Sequence, residues 1–240
     1  MKLQDFRVLS FDCYGTLVDW ETGIWTALQP LLSAGDGKVT REAALAAYAT
    51  VEPEIEHEMP TLLYRQILEH VHARLAKAWG LKSNAAMDRA FGESIGNWPP
   101  FADTPSALAY LKQHFRLVIL SNVDRQSFAA TNRRLGVEFD AICTAEDIGS
   151  YKPDHRNFAY LREQVRKLGH DRQELLHVAQ SLFHDIEPAA ALGIHRCWIN
   201  RRGDRGTGSG ATRAVERMPA LDFTFSSLGE LAGAHAGTMR

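Results

Sequence analysis

Short apolar runs that end on polar residues recur along this chain, with helical patterns between them. That alternation constrains the fold more than any other feature. Val8-Leu9-Ser10-Phe11 stops at Asp12, and Leu117-Val118-Ile119-Leu120 stops at Ser121-Asn122. Asp140-Ala141-Ile142-Cys143-Thr144, Leu175-Leu176-His177-Val178-Ala179 and Arg196-Cys197-Trp198-Ile199 follow. Each run is short and bounded by polar or glycine residues, as fully buried strands are. Between them, Ala107, Leu108, Tyr110 and Leu111 follow Pro105, Phe128 to Leu135 leads into Gly136, and Phe158 to Leu168 leads into Gly169. Alternating strands and helices predict an α/β fold, a doubly wound parallel sheet with helices on both faces and right-handed crossovers.

Residues 20–98 break the alternation, because only helical patterns occur between Trp20 and Trp98. The clearest runs from Leu62 through Ile67, Val71 and Leu75 to Trp79, ending at Gly80. The expected organisation is a core of residues 1–19 and 99–240, interrupted after its first strand by a helical insert at 20–98. Pro99-Pro100 marks the return. Gly203 to Gly210 is rich in glycine but lacks the Gly-Lys-Ser/Thr ending of a phosphate-cradling loop, so it reads as a flexible surface loop.

Composition removes several classes. Lys and Arg number 27 against 29 Asp and Glu, a net charge of −2, without the basic excess of a nucleic-acid binder. An apolar share of 45% at so small a net charge excludes a disordered chain. No apolar run approaches the roughly 18 residues of a membrane span. Asp5 stands where a signal peptide needs apolar residues. Cys13, Cys143 and Cys197 form no metal-spaced pair and read as buried thiols in a reducing cytosol, so the expected location is cytoplasmic.

Polar residues gather where the strands end, the edge at which open parallel sheets bind ligands. The first strand leads to Asp12, Tyr14 and Thr16, the second to Ser121 and Asn122. The loop after the third carries Lys152, and the fourth leads to Ser181, His184 and Asp185. A lone Asp after a strand is usually a turn former, and a lone Lys a solvated charge. Four sets meeting at one edge point to a site. Cys13 beside Asp12 reads as core, since side chains alternate across a strand. Trp20 is placed at the pocket wall, and Trp25, Trp79 and Trp98 in the core of the insert or at its junction.

The order Phe11-Asp12-Cys13-Tyr14-Gly15-Thr16-Leu17, Leu120-Ser121-Asn122, Tyr151-Lys152-Pro153-Asp154 and His184-Asp185 resembles the haloacid dehalogenase superfamily. The resemblance implies a Rossmann-like core, a helical cap domain, a tendency to form homodimers, and an aspartate nucleophile, here Asp12. Such a carboxylate forms a covalent ester and divides one hard step into two. Lys152 would keep it ionised and Thr16 would orient it. Ser121 and Asn122 would donate to an anionic substrate group. Asp185 would position Lys152 or activate the water that cleaves the ester.

Phosphatases of this superfamily need an acid two residues after the nucleophile, where this chain has Tyr14, a neutral phenol at ordinary pH. An aromatic residue there resembles the 2-haloacid dehalogenases. The expected activity is therefore displacement of the substituent at Cα of a small 2-substituted carboxylic acid, with no required cofactor. A magnesium site built from Asp12, the Tyr14 carbonyl and Asp185 stays open as an alternative. So do a magnesium-dependent phosphatase and a non-catalytic binding protein.

Three features depart from the haloacid pattern. No Lys or Arg lies between Tyr48 and Pro60, where a halide-receiving arginine is usual; Glu52, Glu54, Glu56 and Glu58 stand there instead. Gln180 and Leu182 replace a serine and an asparagine, and Phe158 replaces a tyrosine. The glutamates read either as a solvated helix face or as a negative environment for a cationic group, with 52/56 and 54/58 each sharing a face. Asp12 to Gly23, Asn97-Trp98-Pro99, Gly136 to Asp140, Gly149 to Pro153 and Ser181 to Asp185 resemble the azetidine-2-carboxylate hydrolases, which open a cyclic amino acid by the same aspartate chemistry. On that alternative, Glu21 or one of the four glutamates would meet the departing amine and His184 would handle a proton. The expected partner is a small carboxylic acid, with neither nucleic acid nor membrane.

Overall fold

Six parallel strands form one sheet in the order β3-β2-β1-β4-β5-β6. They are β1 Val8–Phe11, β2 Arg116–Ser121, β3 Ala141–Thr144, β4 Leu175–Ala179, β5 His195–Ile199 and β6 Phe223–Phe225. The computed structural model describes residues 1–35, 38–203, 215 and 217–238. Between β1 and β2 run α1 Trp20–Leu32, α2 Arg41–Glu58, α3 Tyr64–Ala78, α4 Ala85–Glu93 and α5 Thr104–Leu111. Then come α6 Arg125–Leu135, α7 Ala145–Ile148, α8 His155–Lys167, α9 Glu187–Ala191 and α10 Leu228–Gly237. This is the Rossmann-like α/β fold that the alternation predicts.

The central strand β1 is buried throughout, so its two faces feed two cores. Leu9 and Phe11 pack with Leu117 and Ile119 of β2 in a cluster that extends through Ile24, Leu28, Tyr48, Ile67 and Leu75 of α1–α3. Val8 joins Val118, Leu120, Phe158, Leu161 and Val165 on the opposite face. The strand order reverses beside β1, which opens a crevice at the carboxyl ends of β1 and β4.

Helices form where capping residues and apolar spacing agree. Asp124 accepts from the Ser127 amide to start α6, and Gly136 at φ +73° ends it. The Leu62-to-Trp79 pattern becomes α3, with Trp79 as its C-terminal cap. Trp98 is buried at the junction of helices and sheet, and a Cβ on Gly23 would lie 2.2 Å from its Cγ. Only glycine permits that approach. Arg65 of α3 pairs with Asp124 at 2.8 Å, and the Tyr151 hydroxyl donates to the Leu62 carbonyl at 2.6 Å, tying the helical segment to the sheet domain.

β6 was not among the expected strands. Its three residues alternate at the sheet edge without a continuous apolar run. In the Gly203-to-Gly210 stretch, Gly203 takes a left-handed φ of +59°, and residues 204–210 lie outside the described residues. Among the described residues, no helix is long and apolar enough to cross a membrane.

Candidate active site

Asp12, the first residue after β1, ends a buried strand and has little exposure of its own. Its Oδ1 accepts from Lys152 Nζ at 2.9 Å, and its Oδ2 accepts from Thr16 Oγ1 at 2.7 Å. Thr16 in turn accepts from the Gln180 amide at 2.9 Å, joining the turn after β1 to the end of β4. Gly15 makes that turn at φ +96°, where a Cβ would press on Trp20 and Gln180 at 3.1 and 3.2 Å.

Lys152 is the hub. Besides Asp12 its ammonium donates to Asp185 Oδ1 at 2.6 Å and to the Leu120 carbonyl at 3.1 Å. Burial opposes a charged lysine, yet Asp12 and Asp185 hold it well above its ordinary value. Burial likewise pushes Asp185 up, but Lys152 and His177 prevail and hold it below the ordinary range. For Asp12, burial prevails over Lys152, and its carboxyl is pushed up, with Asp185 adding to the shift.

These groups line a cavity of about 50 Å³ with Tyr14, Trp20, Glu52, Tyr64, Ser121, Asn122, Val123, Gln180, Ser181 and His184. Ser121 Oγ is buried without a partner. Ser181 accepts from the His184 amide at 3.0 Å and also lies 3.3 Å from His184 Nδ1. A larger cavity of about 520 Å³ adjoins this one across Lys152 and His184.

Of the residues singled out in the sequence, Asp12, Tyr14, Trp20, Ser121, Asn122, Lys152, Ser181, His184 and Asp185 meet in this one cavity, and Thr16 sits behind Asp12. Two depart from expectation. Asn122 has its side chain committed to the Lys152 main chain, accepting from its amide at 2.6 Å and donating to its carbonyl at 3.1 Å. It holds the lysine loop in place instead of standing open to substrate. Glu21 forms an ion pair with Arg202 beside a separate cavity with Arg41 and Arg201, so it does not face Asp12.

The four glutamates divide by helix face. Glu54 and Glu58 are exposed and pair with Arg74 at 3.5 and 2.7 Å, a solvated face. Glu52 and Glu56 are buried. Glu52 accepts from the Tyr64 hydroxyl at 2.5 Å, and burial pushes it up to about 7 despite that bond. Glu56 is pushed well up by burial and by Glu52, against Lys152, and its Oε1 has no partner. Glu52 was visible in the sequence as part of the acidic run. Gln180 was visible in the sequence as a departure from the haloacid pattern, whereas Tyr64 carried no signal that separates it from an ordinary packing residue.

Tyr14 lines the cavity with its ring, edge-on to Trp98 at 5.7 Å. Its hydroxyl is bonded to Thr131 at 2.8 Å, and burial pushes the phenol well above its ordinary value. A phenol so shifted and so engaged is a poor acid for a leaving oxygen. The Lys152 ammonium donates to one oxygen of each carboxylate, so a magnesium ion would have to share Asp12 and Asp185 with a buried cation. Among the described residues, no three His, Cys, Asp or Glu side chains are grouped to hold a metal.

A family model described as haloacid dehalogenase-like hydrolase matches residues 6–193. The chain belongs to the haloacid dehalogenase-like hydrolases. An (S)-2-haloacid dehalogenase of Pseudomonas putida is 24% identical over 217 residues, covering 83% of this chain and 87% of that one. The crystal structure of an L-2-haloacid dehalogenase is 25% identical, with a TM-score of 0.76 over 97% of this chain and 99% of that chain. The L-2-haloacid dehalogenase of Xanthobacter autotrophicus, solved with chloropropionic acid covalently bound, superposes with a TM-score of 0.79 at 20% identity over 97% and 99% of the two chains. At that identity the likeness is one of fold. In this haloacid dehalogenase-like hydrolase Asp12, Ser121, Lys152 and Asp185 line one cavity at the strand ends, with the aromatic ring of Tyr14 beside them.

Proposed function

We propose that this hydrolase displaces the substituent at Cα of a small 2-substituted carboxylic acid, with Asp12 as nucleophile. The observation that carries this reading is the pairing of Asp12 with Lys152 and Thr16 in a small cavity where Tyr14 replaces an acid. The ammonium favours the ionised carboxylate, and the Thr16 hydroxyl fixes its rotation. An Asp12 oxygen attacks Cα, a C–O bond forms, and the bond to the leaving group breaks with inversion. Water then attacks the Asp12 Cγ, the ester C–O bond breaks, and the 2-hydroxy acid departs. Displacement at carbon by a good leaving group needs no general acid, which accords with the Tyr14 hydroxyl being engaged by Thr131. Ser121 Oγ is the open donor for the substrate carboxylate. Helices α1–α4 serve as a cap over the strand edge and must part to admit substrate.

The names of the relatives make (S)-2-halocarboxylates the first substrates to test. Release of chloride from (S)-2-chloropropionate, lost in Asp12→Asn, is the expected result. Chloride release that survives Asp12→Asn contradicts the reading.

Glu52 favours a second reading. It lines the cavity near Asp12, and among the described lining residues Lys152 is the one Lys or Arg. A buried glutamate at about 7 can give a proton to a departing amine, whereas a halide has no use for one. Ring opening of azetidine-2-carboxylate by Asp12 is the corresponding reaction. A panel of (S)-2-chloropropionate, its enantiomer, fluoroacetate and L-azetidine-2-carboxylate separates the two. Ring opening without halide release selects the second.

A further inference from the structure

Ser10 and His177 are the two polar residues in the middle of the buried strands β1 and β4. They are partners in the parallel register, so their side chains share a face. Both are fully buried, as is Asp185. Ser10 Oγ lies 2.8 Å from His177 Nδ1, and His177 Nε2 lies 3.0 Å from Asp185 Oδ1. An ionised Asp185 only accepts, so Nε2 carries a proton and donates to it, and the Ser10 hydroxyl is the partner of Nδ1. Phe158 meets the imidazole edge-on at 5.6 Å and 82° and blocks its rotation from the other side. Neither Ser10 nor His177 lines the catalytic cavity, so neither can touch substrate.

The consequence falls on Asp185. Its Oδ1 receives both Lys152 and His177, while its Oδ2 is buried and has no partner. A carboxylate held only by Lys152 is free to exchange its oxygens by rotating. Held at Oδ1 from two directions, it keeps Oδ2 free of any partner, in a residue that lines the cavity. A buried polar atom left without a partner is costly and calls for an explanation.

We propose that His177, braced by Ser10, is a positioning residue for ester hydrolysis. It fixes the Asp185 carboxylate so that Oδ2 is the base for the attacking water. In that step the water oxygen bonds to Asp12 Cγ and its proton passes to Asp185 Oδ2. The Cγ–O bond to the substrate breaks, and Asp185 returns the proton to the departing alkoxide. Asp12 is left as the free acid and loses its proton to solvent. Formation of the ester makes no use of Oδ2. His177 therefore matters to the second half-reaction and little to the first. The proposal rests on Asp12 being the nucleophile.

The test is a single-turnover reaction with (S)-2-chloropropionate, quenched in acid at intervals, with the ester on Asp12 read by mass spectrometry. In His177→Leu the ester should form within about threefold of the wild-type rate and hydrolyse at least about tenfold more slowly, so that it accumulates. His177→Gln, which keeps a donor near the Nε2 position, should recover most of the hydrolysis rate. Ser10→Ala, a small change in a buried strand, should slow hydrolysis about threefold and leave ester formation alone; it decides the matter if His177→Leu does not fold. Equal loss in both half-reactions of His177→Leu, a His177→Gln no better than His177→Leu in hydrolysis, or an unchanged partition in Ser10→Ala overturns the proposal. A wild type that turns over substrate, (S)-2-chloropropionate or L-azetidine-2-carboxylate, yet never carries the ester overturns the nucleophile assignment and this proposal with it, a result distinct from an ester whose partition does not change.

Discussion

The Lys152 ammonium lies 2.9 Å from Asp12 Oδ1, at the end of a side chain that is 2% exposed. It also holds Asp185, so one buried cation separates two buried carboxylates. Lys152→Met would leave those carboxylates facing each other without it, and one would take up a proton. Breaking a buried pair costs about 3–5 kcal/mol of stability, and with the carboxylate no longer held ionised kcat/KM should fall by roughly 100-fold or more. Lys152→Arg should not restore it, because a planar guanidinium cannot take the three directions that the ammonium serves. Steady-state kinetics on the two variants, with circular dichroism to check folding, test this.

The acid side of the pH profile should lie above the ordinary aspartate range. Burial is the main cause of the upward shift of Asp12, and Lys152 only partly opposes it. Activity needs the ionised form, so kcat/KM should already decline at a pH where an exposed aspartate is still charged. Asp12 cannot be tested by replacement here, but Thr16→Val can. Removing the hydroxyl that steadies the carboxylate should move the decline to higher pH. An unchanged midpoint would show that the bond at Oδ2 does not favour the charged form.

Glu52 should make the fold less stable as pH rises. Its folded value is about 7 against an ordinary 4.5, so between those values the folded state binds more proton than the unfolded chain. Stability therefore falls from about pH 4.5 to about pH 7 and levels off above. Glu52→Gln keeps an acceptor for Tyr64 and removes the titration. The Tm of this variant relative to wild type should rise between pH 5 and pH 8; a constant difference contradicts the shift.

Much of this fold was readable because buried parallel strands are short apolar runs that end abruptly, and the motif residues sit where they end. Three features were not. β6 is an edge strand of three residues, too short for periodicity. α2 runs through Pro53 in a stretch that the sequence marked only as an acidic run, with Leu45, Tyr48 and Ile55 buried. The roles of Glu52 and Glu21 depend on which helix face turns inward. The same letter in the sequence describes Glu52 at the cavity, Glu54 paired with Arg74, and Glu21 paired with Arg202. His177 lay within a strand that was correctly placed, and its only signal was a polar residue in a run that should be apolar.

Activity should not depend on magnesium. The Lys152 ammonium already supplies the positive charge between Asp12 and Asp185, donating to one oxygen of each. Dialysis against a chelator should leave chloride release within about twofold, and added Mg²⁺ should not create phosphate release from an aryl phosphate. Restoration of lost activity by Mg²⁺ after chelation would contradict the donor argument.

The covalent role of Asp12 is tested most directly by one turnover in ¹⁸O-water with enzyme in excess over (S)-2-chloropropionate, followed by mass spectrometry of the peptide containing Asp12. The account predicts one ¹⁸O in the Asp12 carboxylate and an unlabelled 2-hydroxy acid, because water attacks Cγ and the product oxygen comes from the enzyme. Label in the product with an unlabelled Asp12 would mean direct attack by water, and would contradict it.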